Sequence, residues 1–370
     1  MKNTRLILIT LFVSLYCLPA EAQRKEISIP DIPSYLTLKC DFHMHTVFSD
    51  GTVWPNIRVL EAWQEGLDAI SITDHIEYRP HKKDIQADHN RSYDLAVGAA
   101  SAAGIILIKG SEITRSNPEG HYNALFLEDS NPLDTPDFFD AIQAAIDQDA
   151  FVIWNHPGWS QPNKIPVWYD IQTQLYEKGW IHGMEIVNSS SYYPLAFTWC
   201  NEKEIPILAC SDVHNLIPAK NLIERGSHRA MTLVFAKEKT KESIREAMFA
   251  GRTAAYFGNN IYGKSEFLKP IFCASVAVEA LSPLKDTKSI RIQMTNESDL
   301  DYELVNQEYP DGFSGPEIIK LPAHHSIIIS FKNKEAVKSW AKIKILFAVS
   351  NLLLAPEESL IINLPGLNNY

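Results

Sequence analysis

The chain has 370 residues and a formal net charge of −11, with 45% hydrophobic and 21% charged residues. That length suits one large domain plus a smaller one. An acidic chain without a basic run is a poor match to a nucleic-acid backbone, so no nucleic-acid partner is expected.

The N-terminus comes first. Lys2 and Arg5 precede an apolar stretch from Leu6 to Leu18, followed by Ala20-Glu21-Ala22. This pattern reads as a secretory signal peptide over residues 1–22, cut before Gln23. The apolar run is short for a bilayer span, and no other long one exists. The mature protein is therefore expected in a Gram-negative periplasm or secreted, with no membrane insertion after cleavage. Cys17 raises a lipoprotein alternative, but Ser14-Leu15-Tyr16 makes a poor lipobox. Cleavage removes Lys2, Arg5 and Glu21, one net positive charge, and leaves −12. Residues 23–35 form a polar, Pro-containing lead-in.

Cys40-Asp41-Phe42-His43-Met44-His45-Thr46 follows. Residues i and i+2 of a strand share a face, so His43 and His45 project side by side. Alone, such a pair is a weak signal. Asp50 lies in the turn-like Phe48-Ser49-Asp50-Gly51. The stretch Leu67–Thr73 reads as a strand ending in Asp74-His75. Ile105–Lys109 reads as another, ending near Glu112. His121 starts the strand-like Tyr122–Leu127. Ala150–Trp154 ends in Asn155-His156-Pro157, and Ile205–Cys210 ends in Ser211-Asp212-Val213-His214. Helices are expected at Pro55–Glu65, Gln86–Ala103, Pro136–Gln148, Tyr193–Lys203 and Lys241–Ala250. Thr240 caps the last and Gly251 stops it.

Apolar strands alternating with helices imply a parallel sheet covered by helices. In closed barrels of that class, strand ends converge on one mouth. The metal-ligand set is then His43, His45, Asp50, His75, Glu112, His121, His156, Asp212 and His214. Mixed N/O ligation suits Zn, Mn or Fe, and nine ligands suit two or three divalent ions.

In this order the motifs His-x-His, Ser-Asp-Gly, Thr-Asp-His, Glu, His, His-Pro and Asp-x-His resemble the PHP (polymerase and histidinol phosphatase) superfamily. The resemblance spans roughly residues 36–265. It implies an α/β fold, a distorted seven-stranded β/α barrel, and metal-dependent phosphoesterase activity. It also implies roles. His43, His45, Glu112 and Asp212 would hold one ion. Asp50, His75 and His214 would hold a second. Glu112, His121 and His156 would hold a third. The tracts Ile76–His81, His228–Phe235 and Gly251–Asn259 resemble the exported bacterial branch of Sb-PDE-type phosphodiesterases.

The chemistry expected is hydrolysis of small organic phosphodiesters by a metal-bridging hydroxide, since divalent ions lower the pKa of bound water. Arg79, His81 and Arg229 are the expected catalytic cations, with Lys82 and Arg225 behind them. A guanidinium can grip two phosphoryl oxygens. Arg229 opens an apolar strand, so a structural salt bridge stands as its alternative. Asp74 is expected to hold a histidine in place, and Asn155 to touch substrate or cap a loop. Alternative functions are a phosphomonoesterase, a cyclic-phosphate hydrolase, or a non-catalytic metal- or ligand-binding module. An amidohydrolase-like reading fits less well. Such sites usually bridge their ions with a modified lysine, whereas here the strand ends in Glu112, and Lys109 lies on the opposite face.

After Pro270 the pattern changes to short alternating runs: Ala274–Val278, Ser289–Met294, His325–Ser330 and Ile343–Val349, with a hairpin-like end from Asn351 to Leu364. This reads as a small all-β, sandwich-like domain. The expected layout is residues 1–22 signal peptide, 23–270 hydrolase barrel and 271–370 C-terminal β domain. Cys40, Cys200, Cys210 and Cys273 read as free thiols, with a Cys200–Cys210 pair left open.

Overall fold

The structure, a computed structural model, describes residues 24–218, 227–282 and 285–365. The expected signal peptide and Arg225 lie outside the described residues. Among the described residues no helix is long and apolar enough to cross a membrane.

The first part of the chain carries strands β1 (Leu36–Asp41), β2 (Ala69–Ile72), β3 (Ile106–Thr114), β4 (His121–Leu125), β5 (Phe151–Trp154), β6 (Gly183–Asn188), β7 (Ser191–Tyr192), β8 (Ile207–Cys210), β9 (Met231–Ala236), β10 (Thr253–Phe257) and β11 (Asn260–Gly263). Its helices are α1 (Pro55–Glu65), α2 (Arg91–Ala103), α3 (Phe138–Ile146), α4 (Asp170–Glu177), α5 (Pro194–Lys203), α6 (Lys241–Phe249) and α7 (Ser265–Ser275).

Strands β1, β2 and β3 pair in parallel, as do β5, β6 and β8. Between these two groups, β4 runs antiparallel to both β3 and β5. The connection from Thr114 to His121 is too short for a helical crossover, so the chain must turn straight back. This reversal breaks the parallel run of strands around the rim. It also explains why His121 acts from the start of its strand while its counterparts follow strand ends. The ring closes at the rim, where Met44 bridges Val213. There Asp212 N donates to His43 O at 2.9 Å and His45 N to Val213 O at 3.0 Å. Below that closure, β9 pairs antiparallel with β1, followed by β10 and β11.

Leu38 and Cys40 of β1, with Ala69, Ile108, Leu125, Phe151, Leu208 and Val234 from six further strands, pack into one buried cluster with Ile244 and Met248 of α6. Cys40 and Cys210 sit in it as small apolar side chains, and all four described cysteines are free.

Local signals account for most helices. Pro55 opens α1, and Gly66 at φ 91° ends it. Thr240 Oγ1 accepts from Ser243 N at 3.1 Å to start α6. Two helices were not expected. α4 follows the irregular Pro166–Tyr169 stretch. α7 continues through Pro270, which sequence reasoning treats as a breaker.

The remaining strands are β12 (Val276–Ala280), β13 (Thr287–Asn296), β14 (Tyr302–Glu308), β15 (Phe313–Ser314), β16 (Ile318–Leu321), β17 (Ser326–Val337), β18 (Leu346–Ala355) and β19 (Glu358–Asn363). One sheet has the order β12-β13-β17-β15. The other joins β16, β14, β18 and β19, and β18 pairs in parallel with β11 of the barrel. Ile290, Ile292, Met294, Leu304, Phe331 and Phe347 fill the core of this region. The C-terminal region is thus all-β, and its sheet is continuous with the barrel's.

Candidate metal centre

The nine expected ligands converge on one rim. His43 and His45 leave β1, His75 follows β2, Glu112 sits near the end of β3, and His121 begins β4. His156 follows β5, while Asp212 and His214 follow β8. Their ligand atoms form four overlapping sets, each within 4.8 Å: His45, Asp50, His75 and His214; His43, His45 and Asp212; His43, Glu112 and His156; and His75, Glu112 and His121.

Glu112 is the hub. Its Oε1 lies 3.5 Å from His43 Nε2, 3.1 Å from His121 Nδ1 and 3.4 Å from His156 Nε2. Its Oε2 lies 3.5 Å from His45 Nε2 and 2.6 Å from His75 Nδ1. Asp212 Oδ1 lies 3.2 Å from His43 Nε2 and 3.1 Å from His45 Nε2. Asp50 Oδ1 faces His75 Nε2 at 3.5 Å and His214 Nε2 at 3.2 Å.

Burying these groups shifts their titration. Burial disfavours charge on His43, but Asp212, Glu185 and Glu112 outweigh it and hold its pKa well above the ordinary value. Burial also opposes charge on His75, yet Glu112 and Asp50 push it up to about 10. His156 and His214 are raised in the same way against burial, by Glu112 and by Asp50. Burial and the neighbouring His75 charge push His45 down to about 4. Burial favours the neutral form of Glu112, but His75, His43 and His121 hold it well below the usual carboxylate range. Asp50 and Asp212 are depressed likewise, against burial, by the imidazoles around them. Three buried oxygens, Asp50 Oδ1, Glu112 Oε2 and Asp212 Oδ1, accept no hydrogen bond of normal geometry. Unpaired buried carboxylate oxygens aimed at imidazoles are costly without a cation among them. The donor set of imidazole nitrogens and carboxylate oxygens fits divalent ions.

A layer of other residues fixes these side chains. A Cβ on Gly51 would meet the backbone of His45 and Thr46 at 2.6 Å, so only glycine lets the Asp50 turn press against them. Asp74 accepts from Thr46 N and Ser49 Oγ, both at 2.7 Å, and Ser49 Oγ lies 3.3 Å from His45 Nδ1. Asp74 thus acts on His45 through a serine. Glu185 lies 2.8 Å from His43 Nδ1, and its other oxygen accepts from His156 N and Asn188 Nδ2. Asn155 donates to Glu112 Oε1 and Asn123 Oδ1, both at 2.9 Å, so it aims the hub carboxylate. Arg58 is fully buried and donates to the carbonyls of His45 at 2.9 Å, Asn215 at 2.8 Å and Val213 at 3.1 Å. His156 and Asp212 have left-handed backbones, at φ 25° and 50°. Non-glycine residues persist in such conformations only where their surroundings impose them.

The expected catalytic cations are corrected. A cleft of about 790 Å³ opens over the rim, and neither Arg79, His81 nor Arg229 lines it. Arg229 is 3% exposed and is turned to buried carboxylates rather than to the cleft. Its Nε pairs with Glu65 Oε2 at 2.6 Å and its Nη1 with Asp41 Oδ2 at 3.1 Å. Asp41 in turn holds Ser211 beneath the site. The salt-bridge alternative therefore holds for Arg229. Arg79 donates to the carbonyls of Phe48 and Ala87, latching the loop after β2. His81 belongs to the turn that loop makes, and its carbonyl accepts from Asp84 N and Ile85 N. Among the described residues the arginine that lines the cleft is Arg115, paired with Glu77 and donating to Thr135 O at 2.7 Å. Its place three residues after Glu112 was the available signal. Glu185 was also missed, although an acid inside the apolar stretch Gly183–Asn188 is itself anomalous.

Barrel, rim and companion sheets define a hydrolase-type metal centre with an all-β partner. A two-domain protein from Bacteroides vulgatus, whose crystal structure is described as containing a predicted PHP-like metal-dependent phosphoesterase, is 44% identical to this chain. The match covers 92% of this chain and 98% of that one, at a TM-score of 0.88. This chain belongs to that family of PHP-like metal-dependent phosphoesterases. A putative metal-dependent phosphoesterase from Bifidobacterium adolescentis matches at 17% identity and TM-score 0.41, over 56% of this chain and 95% of that one. An amidohydrolase from Chromobacterium violaceum, with bound sulfate and no metal, matches at 13% and 0.39, over 51% and 90%. A family described as an Ig-like domain, DUF5001, matches residues 276–365. No curated protein matches the chain.

Proposed function

We propose that this protein is an exported metal-dependent phosphodiesterase of the Sb-PDE type that hydrolyses small organic phosphodiesters. The observation that carries the reading is Glu112, one buried carboxylate within 3.5 Å of His43, His45, His75, His121 and His156. Two or three divalent ions, Mn, Zn or Fe, would be held by the nine residues. Once bound they would supply water acidified to near neutral pH and a Lewis acid for the phosphoryl oxygens. Glu185 and Asn155 hold His43 and Glu112 in register for them. The leader over residues 1–22 would direct the chain to the periplasm or outside the cell. The barrel would occupy residues 23–270 and the β domain 271–370, with α7 across the junction.

The cleft's charge favours a diester over a monoester. Among its described lining residues Arg115 is the one Lys or Arg, and it is already paired with Glu77, so beyond the bound ions, whose charge Asp50 and Asp212 would partly offset, these residues supply no further unpaired cation for a second phosphoryl charge. A phosphomonoester brings two negative charges and a diester only one. The test is a screen of metal-loaded protein on bis(p-nitrophenyl) phosphate, p-nitrophenyl phosphate and a nucleoside 2′,3′-cyclic phosphate. The highest kcat/KM is expected on the diester, with activity lost to a chelator. A higher value on the monoester or the cyclic compound would move the assignment to that activity. No turnover by metal-loaded protein would leave a binding module.

A further inference from the structure

Exposed apolar surface gathered in a cleft and rimmed by polar groups marks a ligand site. Trp159 and Tyr78 are 57% and 54% exposed, and both line the metal cleft. Trp159 lies with its ring centroid 4.9 Å from His121 and 5.6 Å from His156. Tyr78 meets His75 edge-on at 5.9 Å. His75 and His121 are themselves 5.9 Å apart. The two exposed rings therefore stand on either side of the imidazoles at the mouth.

The chain accepts strain to keep Trp159 there. Trp159 N donates to His156 O at 2.7 Å, closing a tight turn. A Cβ on Gly158 inside that turn would meet Lys164 O at 2.3 Å and the Tyr193 ring at 2.5 Å. His156 before the turn and Ser160 after it both have positive φ, 25° and 60°. Strained backbone of this kind clusters where a side chain must be presented in one place. The cleft, at about 790 Å³, falls in the range of pockets for drug-sized organic ligands, far beyond one phosphoryl group.

We infer that Trp159 and Tyr78 form a stacking platform, and that the substrate is a phosphoester whose organic group is a flat aromatic ring. The inference deepens the phosphodiesterase reading and rests on it for the identity of the anionic end. The geometry is simple: the phosphoryl group sits over the imidazoles and carboxylates, and the ring lies against the indole or phenol beside them. Aromatic pairs at these spacings favour planar, conjugated groups over equally apolar but puckered ones.

Binding alone tests it, so failure here is separable from failure of the hydrolase assignment. Phenylphosphonate, cyclohexylphosphonate and methylphosphonate are titrated calorimetrically into metal-loaded protein. Phenylphosphonate is expected to bind about tenfold more tightly than the other two. Trp159→Ala should erase most of that margin, Trp159→Phe should keep most of it, and Tyr78→Ala should reduce it. Metal content is measured on each variant; if Trp159→Ala loses metal through its neighbour His156, Tyr78→Ala and Trp159→Phe decide. Equal affinity for phenyl and cyclohexyl compounds, an unchanged margin in the variants, or no phosphonate binding overturns the platform. Diester turnover with no phenyl preference would sink the platform and leave the hydrolase. A phenyl preference with no turnover of any phosphoester would do the reverse.

Discussion

The barrel rim and the C-terminal β region are built from similar strands, yet they treat charge in opposite ways. In the C-terminal region Lys320 pairs with Glu303 at 3.7 Å and Lys344 with Glu308 at 3.6 Å, both at the exposed surface. Such pairs are worth little and can be lost cheaply. At the rim, His43, His45 and Glu112 are fully buried, and carboxylate oxygens are left without hydrogen bonds. A fold tolerates that arrangement only where something else repays the desolvation. The contrast locates the function more sharply than any single residue does. A third arrangement lies directly beneath the rim. There the buried Arg229 guanidinium is set against two carboxylates, Asp41 and Glu65, so each buried charge faces its opposite.

The contrast can be broken or sharpened by substitution. Glu112→Ala is expected to have the largest effect, abolishing turnover by at least about a thousandfold and lowering metal content, because one carboxylate belongs to two of the four ligand sets and lies within 3.5 Å of five imidazoles. Elemental analysis and diester kinetics on the purified variant check this; full occupancy with full activity would refute the hub role. Arg229→Ala should lower stability by about 3–5 kcal/mol by leaving Asp41 and Glu65 buried without a partner. Its KM should change little, since Arg229 does not reach the cleft; denaturant melts and kinetics separate the two effects. Glu185→Gln should keep the fold and weaken metal binding about 10- to 100-fold, by loosening His43. A metal titration followed by activity and by direct binding measures it.

Proton release on metal binding is the subtlest effect. In the metal-free protein His75 holds its proton to about pH 10, against an ordinary 6.5, and His43, His156 and His214 are raised as well. Their contribution to stability is fully present below pH 6.5 and is lost as pH rises through each raised value, for His75 near 10. An incoming cation must displace those protons. Affinity should therefore rise with pH across that window, with net proton release at pH 7.5. Calorimetry in two buffers of different protonation enthalpy reads the number, and zero release would contradict the picture.

Much of the site was legible because its ligands announce themselves at strand ends: His43-Met44-His45, Asp74-His75, Asn155-His156 and Asp212-Val213-His214 each break an apolar run with a polar pair. The helix-covered parallel strands and the all-β tail were legible from the hydrophobic pattern, and the barrel from the resemblance that the motif order carries. What was not legible depends on partners distant in sequence. Arg229 looked like a phosphate ligand until Glu65 and Asp41 closed on it. Arg58 carries no motif of its own in the sequence, yet it clamps the loops bearing His45 and His214. Asn155 looked free for substrate but is spent on Glu112 and Asn123. The reversal of β4 lay in the length of a loop, and α7 ran through a proline that local rules treat as a stop.

The most direct measurement is an anomalous difference map from crystals of the protein loaded with Mn or Zn. The account predicts two or three peaks at the rim, each about 2.0–2.3 Å from imidazole nitrogens and carboxylate oxygens of the nine residues, with one peak or more touching Glu112. Peaks elsewhere on the surface, or a rim without peaks in a protein that still hydrolyses diesters, would contradict it.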